Sequence, residues 1–224
     1  LFNFENSDNA KFRNKNPETL RMILRSYARH VSTEAPVTTI INDIILSGNR
    51  ATFDSKTYDD YMCALEDLHI IEDIPAWNPN IRSKAAIRTS NTRHFVDTSI
   101  ACAALGVSPD DLMSDLKTFG LFFEDMAVRD LKVYADAIDG QIAHYRDSNG
   151  LECDAVIHLK NGRWGAIEIK LGGKNLIDEG VCSLMKLKST VATEPAFMMV
   201  LTATGPAYRR PDGIYVVPLN CLRP

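Results

Sequence analysis

Residues 151–170, Leu-Glu-Cys-Asp-Ala-Val-Ile-His-Leu-Lys-Asn-Gly-Arg-Trp-Gly-Ala-Ile-Glu-Ile-Lys, constrain this chain more than any other stretch. Two apolar runs flank Asn161-Gly162, and Asn-Gly between such runs is a strong hairpin signal. The charges fall where strands normally exclude them. Asp154 lies among Cys153, Ala155, Val156 and Ile157, and Glu168 and Lys170 flank Ile169. An unpartnered buried charge costs several kcal/mol, so these groups need one another or an ion.

Register decides whether they meet. A two-residue loop, Asn161-Gly162, sets Asp154 against Ile169 and puts it on the opposite side of the sheet from Glu168. A three-residue loop, Lys160-Asn161-Gly162, pairs Asp154 with Glu168 through a type I turn closed by a left-handed glycine. The three-residue loop is the expectation. Side chains alternate with period two, so Lys170 then shares the face of both acids, whose Cβ atoms stand roughly 5 Å apart.

Composition narrows the classes of partner. A net charge of −4 and a pI near 5.7 give no global attraction for nucleic acid, so any such contact must come from a local patch. The cysteines Cys63, Cys102, Cys153, Cys182 and Cys221 have no Cys-x-x-Cys or Cys/His spacing and read as reduced cytosolic thiols. No signal peptide and no apolar run near 18 residues is present, so the expectation is a cytoplasmic protein with no membrane contact. The opening Leu1-Phe2-Asn3-Phe4-Glu5 reads as the continuation of a longer protein.

Residues 1–16 read as a polar linker carrying Phe2, Phe4 and Phe12. Asn16 and Pro17 open a helix with Leu20, Ile23, Leu24, Tyr27 and Val31 on one face, ended by Pro36. A short apolar helix over residues 37–46 follows, and a third, capped by Asp54 or Ser55, runs to Leu68. Extended pieces at residues 70–75 and 84–96 complete the pattern of a winged helix-turn-helix over residues 17–118. The third helix carries Asp59, Asp60, Glu66 and Asp67 against Lys56, which opposes insertion into a DNA groove. The wing is basic, with Arg82, Lys84, Arg88, Arg93 and His94; it reads either as a solvated edge or as a contact to nucleic acid or an acidic neighbour. Helices over residues 97–105 and 109–116 follow, and Gly120 is expected to break the chain.

The second domain, residues 119–224, reads as a helix over 121–134, strands over 141–146 and in the hairpin, a helix over 175–188, and strands over 196–201 and 214–218. That order implies an α/β fold with a mixed sheet and helices on its faces. Glu124 lies on the first helix, beside its apolar face. Residues 208–213 read as an exposed turn whose arginines are solvated, and Trp77 and Trp164 as packing residues. His144 and Arg146 are weaker site candidates, and Arg146 has Glu152 as an alternative partner.

Glu124, Asp154 and Glu168-Ile169-Lys170 match the spacing of the PD-(D/E)XK restriction-endonuclease-like fold. With Phe122-Phe123-Glu124, Tyr145-Arg146 and Glu152-Cys153-Asp154, the chain resembles the C-terminal region of a large prokaryotic family of AAA-type ATPases. Tyr58-x-x-Tyr61-x-x-x-Leu65-Glu66 and His94-Phe95-Val96-Asp97 resemble that family's middle region. The resemblance implies a P-loop ATPase domain upstream, where ATP would bind, then a winged helix and a nuclease-like domain of unassigned function. Gly172-Gly173-Lys174-Asn175 is not a P-loop.

The chemistry that spacing serves is metal-assisted hydrolysis of phosphodiesters in DNA or RNA. Asp154, Glu168 and Glu124 would hold Mg²⁺ or Mn²⁺, which favour oxygen ligands, and Lys170 would position water or phosphate. Glu152, opposite Lys170 in this register, could instead neutralise the lysine. The alternative is an inactive nuclease-fold scaffold in which Lys170 neutralises Asp154 and Glu168, mediating protein or nucleic-acid interactions for the upstream ATPase.

Overall fold

The computed structural model describes residues 15–48, 51–79 and 90–223. Expectations for Phe2, Phe4, Phe12, Arg82, Lys84 and Arg88 lie outside these residues. The chain forms two compact units, Leu1–Asp73 with Thr92–Thr118, and Ile74–Asn91 with Phe119–Pro224. Among the described residues no helix is long and apolar enough to cross a membrane.

The first unit contains five helices among the described residues: α1 (Pro17–Arg29), α2 (Val37–Ser47), α3 (Ser55–Asp67), α4 (Thr98–Leu105) and α5 (Pro109–Ser114). Their starts follow capping chemistry, since a helix leaves its first N–H groups without partners. Asn16 accepts from the N–H groups of Glu18 and Thr19, Asp54 from Thr57 and Asp97 from Ser99, and Ser108 and Asp111 form a capping box. α1 stops at Arg29, well before Pro36, because the His30 N–H turns back to the Tyr27 carbonyl. Tyr27 lies at the unit's centre, edge-on to Phe95 at 5.1 Å between ring centroids, and its hydroxyl donates to Asp73, which also pairs with Arg93. The two extended pieces meet in one antiparallel bridge, Ile71 with Phe95, flanked by Glu72 N–H to the His94 carbonyl and Val96 N–H to the Ile70 carbonyl. Arg93 thus makes an interior ion pair rather than a solvated edge.

Gly120 does not break the chain. α6 (Leu116–Asp136) runs through it, because the interruption falls earlier, at Asp115, whose carboxylate takes the Thr118 N–H and starts the new helix. A helical glycine costs only about 1 kcal/mol relative to alanine, which 21 residues of helix tolerate.

The second unit is a six-stranded mixed sheet with helices on both faces. Its strands are β1 (Gly140–Arg146), β2 (Glu152–Leu159), β3 (Trp164–Lys170), β4 (Phe197–Thr202), β5 (Tyr208–Arg209) and β6 (Tyr215–Pro218), in the order β1-β2-β3-β4-β6-β5. β1, β2 and β3 are antiparallel neighbours, while β4 runs parallel to β3 and β6 to β4. The crossover from β3 to β4 is α7 (Lys174–Thr190), as a parallel neighbour requires. Part of the expected turn at 208–213 is β5, paired antiparallel with β6, and Arg210 is held by Asp178 and Asp212, each at 2.9 Å.

Side-chain alternation sorts the core into two layers. Ile167 and Ile169 of β3, Ala155 and Ile157 of β2 and Leu201 of β4 pack with Phe123, Ala127 and Leu131 of α6. Val156, Ala166 and Val200 pack with Val181, Leu184 and Leu187 of α7 on the other face. Residues 74–77 join this unit at the free edge of β1: the Trp77 N–H donates to the His144 carbonyl at 2.6 Å and the His144 N–H to the Pro75 carbonyl at 3.0 Å. Trp77 then stacks on Trp164 at 4.8 Å and meets Tyr145 edge-on at 6.3 Å.

Candidate functional site

The hairpin takes the register of the three-residue loop. Ala155 pairs with Ile167, Val156 with Ala166, Ile157 with Gly165 and His158 with Trp164. The turn closes through Leu159 N–H to the Arg163 carbonyl at 2.8 Å and Gly162 N–H to the Leu159 carbonyl at 2.9 Å, with Gly162 at φ +83°. One step beyond the last pair, Asp154 stands opposite Glu168. The backbone ladder ends there, and the Asp154 carboxylate takes the Ile169 N–H at 2.7 Å instead. An acid inside a strand is thereby fixed by the strand beside it.

Lys170 closes the cluster. Its ammonium lies 3.0 Å from Asp154 Oδ2 and 2.8 Å from Glu168 Oε2, on the sheet face covered by α7. Glu168 is only 3% exposed, and the cause is a glycine. α7 approaches the sheet at Gly180, where an added Cβ would come within 3.2 Å of the Glu168 Cβ and 3.4 Å of Val200. Glu152 does not neutralise the lysine; it pairs with Arg146 at 2.9 Å. His144 is buried, with Nε2 2.8 Å from the Ser90 carbonyl oxygen, and stands apart from the cluster lining.

Burial and mutual repulsion set the proton affinities. Glu168 is pushed up to about 8, first by burial and then by Asp154, with Lys170 pulling the other way. Glu124, on α6, is pushed well above the usual carboxylate range by burial and then by the charge of Asp154. Burial works against the charge on Lys170, but Asp154 and Glu168 outweigh it and hold the ammonium well above the ordinary lysine range. Lys170 is thus shared by two acids, and Glu168 keeps its proton near neutrality. Cys153 beneath them is an inert thiol, raised by burial and then by Glu168, and donates to the Ala155 and Ile167 carbonyls at 3.4 Å.

The cluster forms one end of a cleft of about 660 Å³ between the sheet and α7. Asp147, Gly150 and Glu152 line one wall, and Glu179, Ser183 and Lys186 the other. Asp147 shapes the turn between β1 and β2 by accepting the N–H groups of Asn149 and Leu151 at 2.8 and 2.9 Å. Sequence reasoning overlooked the α7 wall; the glycine inside an otherwise periodic helix was the available signal for the close approach.

The residues as arranged do not fit a divalent cation. Among the described residues no group of three or more His, Cys, Asp or Glu side chains is placed to hold a metal. The Lys170 ammonium occupies the space between the two carboxylates, and Asp154 Oδ2 already accepts two donors.

Fold and site together define a mixed α/β domain with a buried acid–lysine cluster in a polar cleft. Residues 119–222 match the model of a domain of unknown function, DUF4143, of a kind typically found at the C-terminus of AAA-type ATPases. Residues 6–111 match a second domain of unknown function, DUF8612. No curated protein and no solved structure matches the chain.

Proposed function

We propose that this chain is the C-terminal region of a cytoplasmic AAA-type ATP-binding protein. In this reading the first unit is a winged-helix domain. The second is a PD-(D/E)XK nuclease-like domain that engages DNA or RNA without cutting it while Lys170 is in place. The match of residues 119–222 and the helix, three-strand, helix, strand order support the architecture. The observation that carries the functional reading is Lys170, 3.0 Å from Asp154 and 2.8 Å from Glu168, neutralising the acids that a nuclease would turn toward a metal. The domain is then a binding module coupled to the upstream ATPase, since a fold can keep its constellation of residues and change its use.

A second reading, Mg²⁺- or Mn²⁺-dependent phosphodiester hydrolysis, is favoured by one observation. Glu168 is a desolvated acid with raised proton affinity lining a polar cleft, and Glu124 on α6 is raised by burial and by Asp154, a pattern that clusters at functional sites. There Asp154, Glu168 and Glu124 would be the ligands and Lys170 the phosphate-positioning group. A cleavage assay on plasmid DNA and single-stranded RNA, with either cation, separates the two. The expected result is no difference between wild type and Asp154→Ala. Cleavage by the wild type that disappears in Asp154→Ala would establish the hydrolytic reading instead.

A further inference from the structure

The third helix of unit one, which a winged helix-turn-helix would lay in a groove, is the acidic one: Asp59, Asp60, Glu66 and Asp67 of α3 are all exposed. α1 is its opposite. Arg21, Arg25 and Arg29 recur every four residues on its exposed face, each about 6 Å further along the helix. We propose that this arginine row, and not α3, is the surface by which unit one holds the phosphate backbone of a nucleic acid. The proposal rests on the reading that the chain engages DNA or RNA, and it names where the first unit makes that contact.

Three observations argue for it. The row is not consumed inside the protein. Arg29 is neutralised by Asp43 of α2, at 2.7 and 2.9 Å, whereas Arg21 and Arg25 have no ion pair among the described residues. The row also works against the helix that carries it. Like charges four residues apart repel, and the acid of α1, Glu18, stands at its start rather than between the arginines. A polyanion laid along the row relieves that repulsion. Finally, α1 carries none of the chain's largely exposed apolar side chains; its Leu20, Ile23, Leu24 and Tyr27 are buried. A protein interface is built round an apolar or aromatic centre, which this face lacks, while a phosphate chain asks for charge. Arginine suits it, because its planar fork grips phosphate oxygens in pairs.

The test is fluorescence anisotropy of the full 224-residue chain on a labelled mixed-sequence DNA duplex and a single-stranded RNA, at salt from about 50 to 200 mM. Arg21→Ala with Arg25→Ala should weaken duplex binding at least about tenfold at the lower salt. It should also flatten the slope of log affinity against log salt by about 1.8, or about 0.9 for each lost phosphate contact. Both side chains are exposed and alanine is the best helix former, so this variant keeps α1, as circular dichroism will verify. Lysine at both positions should restore most of the slope. Lys56→Ala with Lys117→Ala makes the same change of charge elsewhere on the unit and should leave affinity within about twofold. An equal loss in that control would overturn the proposal, since overall charge alone would then explain the binding. So would wild-type binding that the arginine pair leaves unchanged; engagement of nucleic acid would then stand, through another surface. A wild type that binds neither probe overturns the engagement itself and this proposal with it, and leaves the row to an acidic protein surface.

Discussion

Replacing Lys170 by methionine tests the electrostatics of the cluster most sharply, because it removes the one cation that two buried acids share. The side chains of Asp154 and Glu168 are 15% and 4% exposed, so water cannot replace the lost partner. Breaking a buried pair from one side costs about 3–5 kcal/mol. At pH 7 the cost should fall near the lower end, about 3 kcal/mol, since Glu168, raised to about 8, already carries its proton there and Asp154 is the charge left without its partner. The dependence on pH is more telling. The folded-state pKa of Glu168 is raised to about 8, so its contribution to stability is present below the unfolded carboxyl value and is lost as pH rises through 8. Without Lys170 that window extends upward. Above pH 8 the wild type levels off in this respect, while the variant goes on losing about 1.4 kcal/mol per pH unit for each proton it retains. The difference between them should therefore change little from pH 5 to pH 8 and grow from pH 8 to pH 9. Denaturant melts read by intrinsic fluorescence report the right unit, because both tryptophans of the chain, Trp77 and Trp164, lie in it. A loss below about 1 kcal/mol that stays flat across this range would refute the shared-lysine picture.

Other outcomes follow from packing and capping. Trp77→Ala removes the ring stacked on Trp164 and loosens the segment that covers the β1 edge; a loss of about 3–5 kcal/mol is expected in the same melts, and a loss under 1 would remove that segment from the core. Gly180→Val sets a branched side chain against the Glu168 Cβ and Val200, so α7 must lift; a cost of about 1–3 kcal/mol should come with a measurable fall in the pKa of Glu168, by carboxyl NMR, as water reaches it. Asp97→Ala deletes the cap of α4 and should cost about 1 kcal/mol, read by circular dichroism, with no effect on tryptophan fluorescence at pH 7.

The hairpin and its register were legible because local chemistry sets them. Asn161-Gly162 dictates the turn, and period-two alternation carries Asp154, Glu168 and Lys170 to one face once the loop length is chosen. Helix starts at Asn16 and Asp54 were legible for the same reason, each being a short-range hydrogen bond. What escaped was non-local or cancelling. Nothing near Trp77 in the chain says that residues 74–77 pair with β1 about 70 positions on. Gly120 looks like a breaker because propensity registers the glycine but not the Asp115 cap that already restarts the helix. Gly180 carries no signal of its own partner, since its role is the absence of a side chain above Glu168. The pairing of Glu152 with Arg146 was one of two alternatives that spacing leaves open, and the β1–β2 register selects it.

The most direct measurement is a crystal structure of the chain grown near pH 7 with millimolar Mn²⁺, with anomalous scattering collected at the manganese edge. The account expects Lys170 within hydrogen-bonding reach of both Asp154 and Glu168 and no anomalous peak between them. A manganese ion bound by those two carboxylates, with the ammonium still beside them, would contradict it.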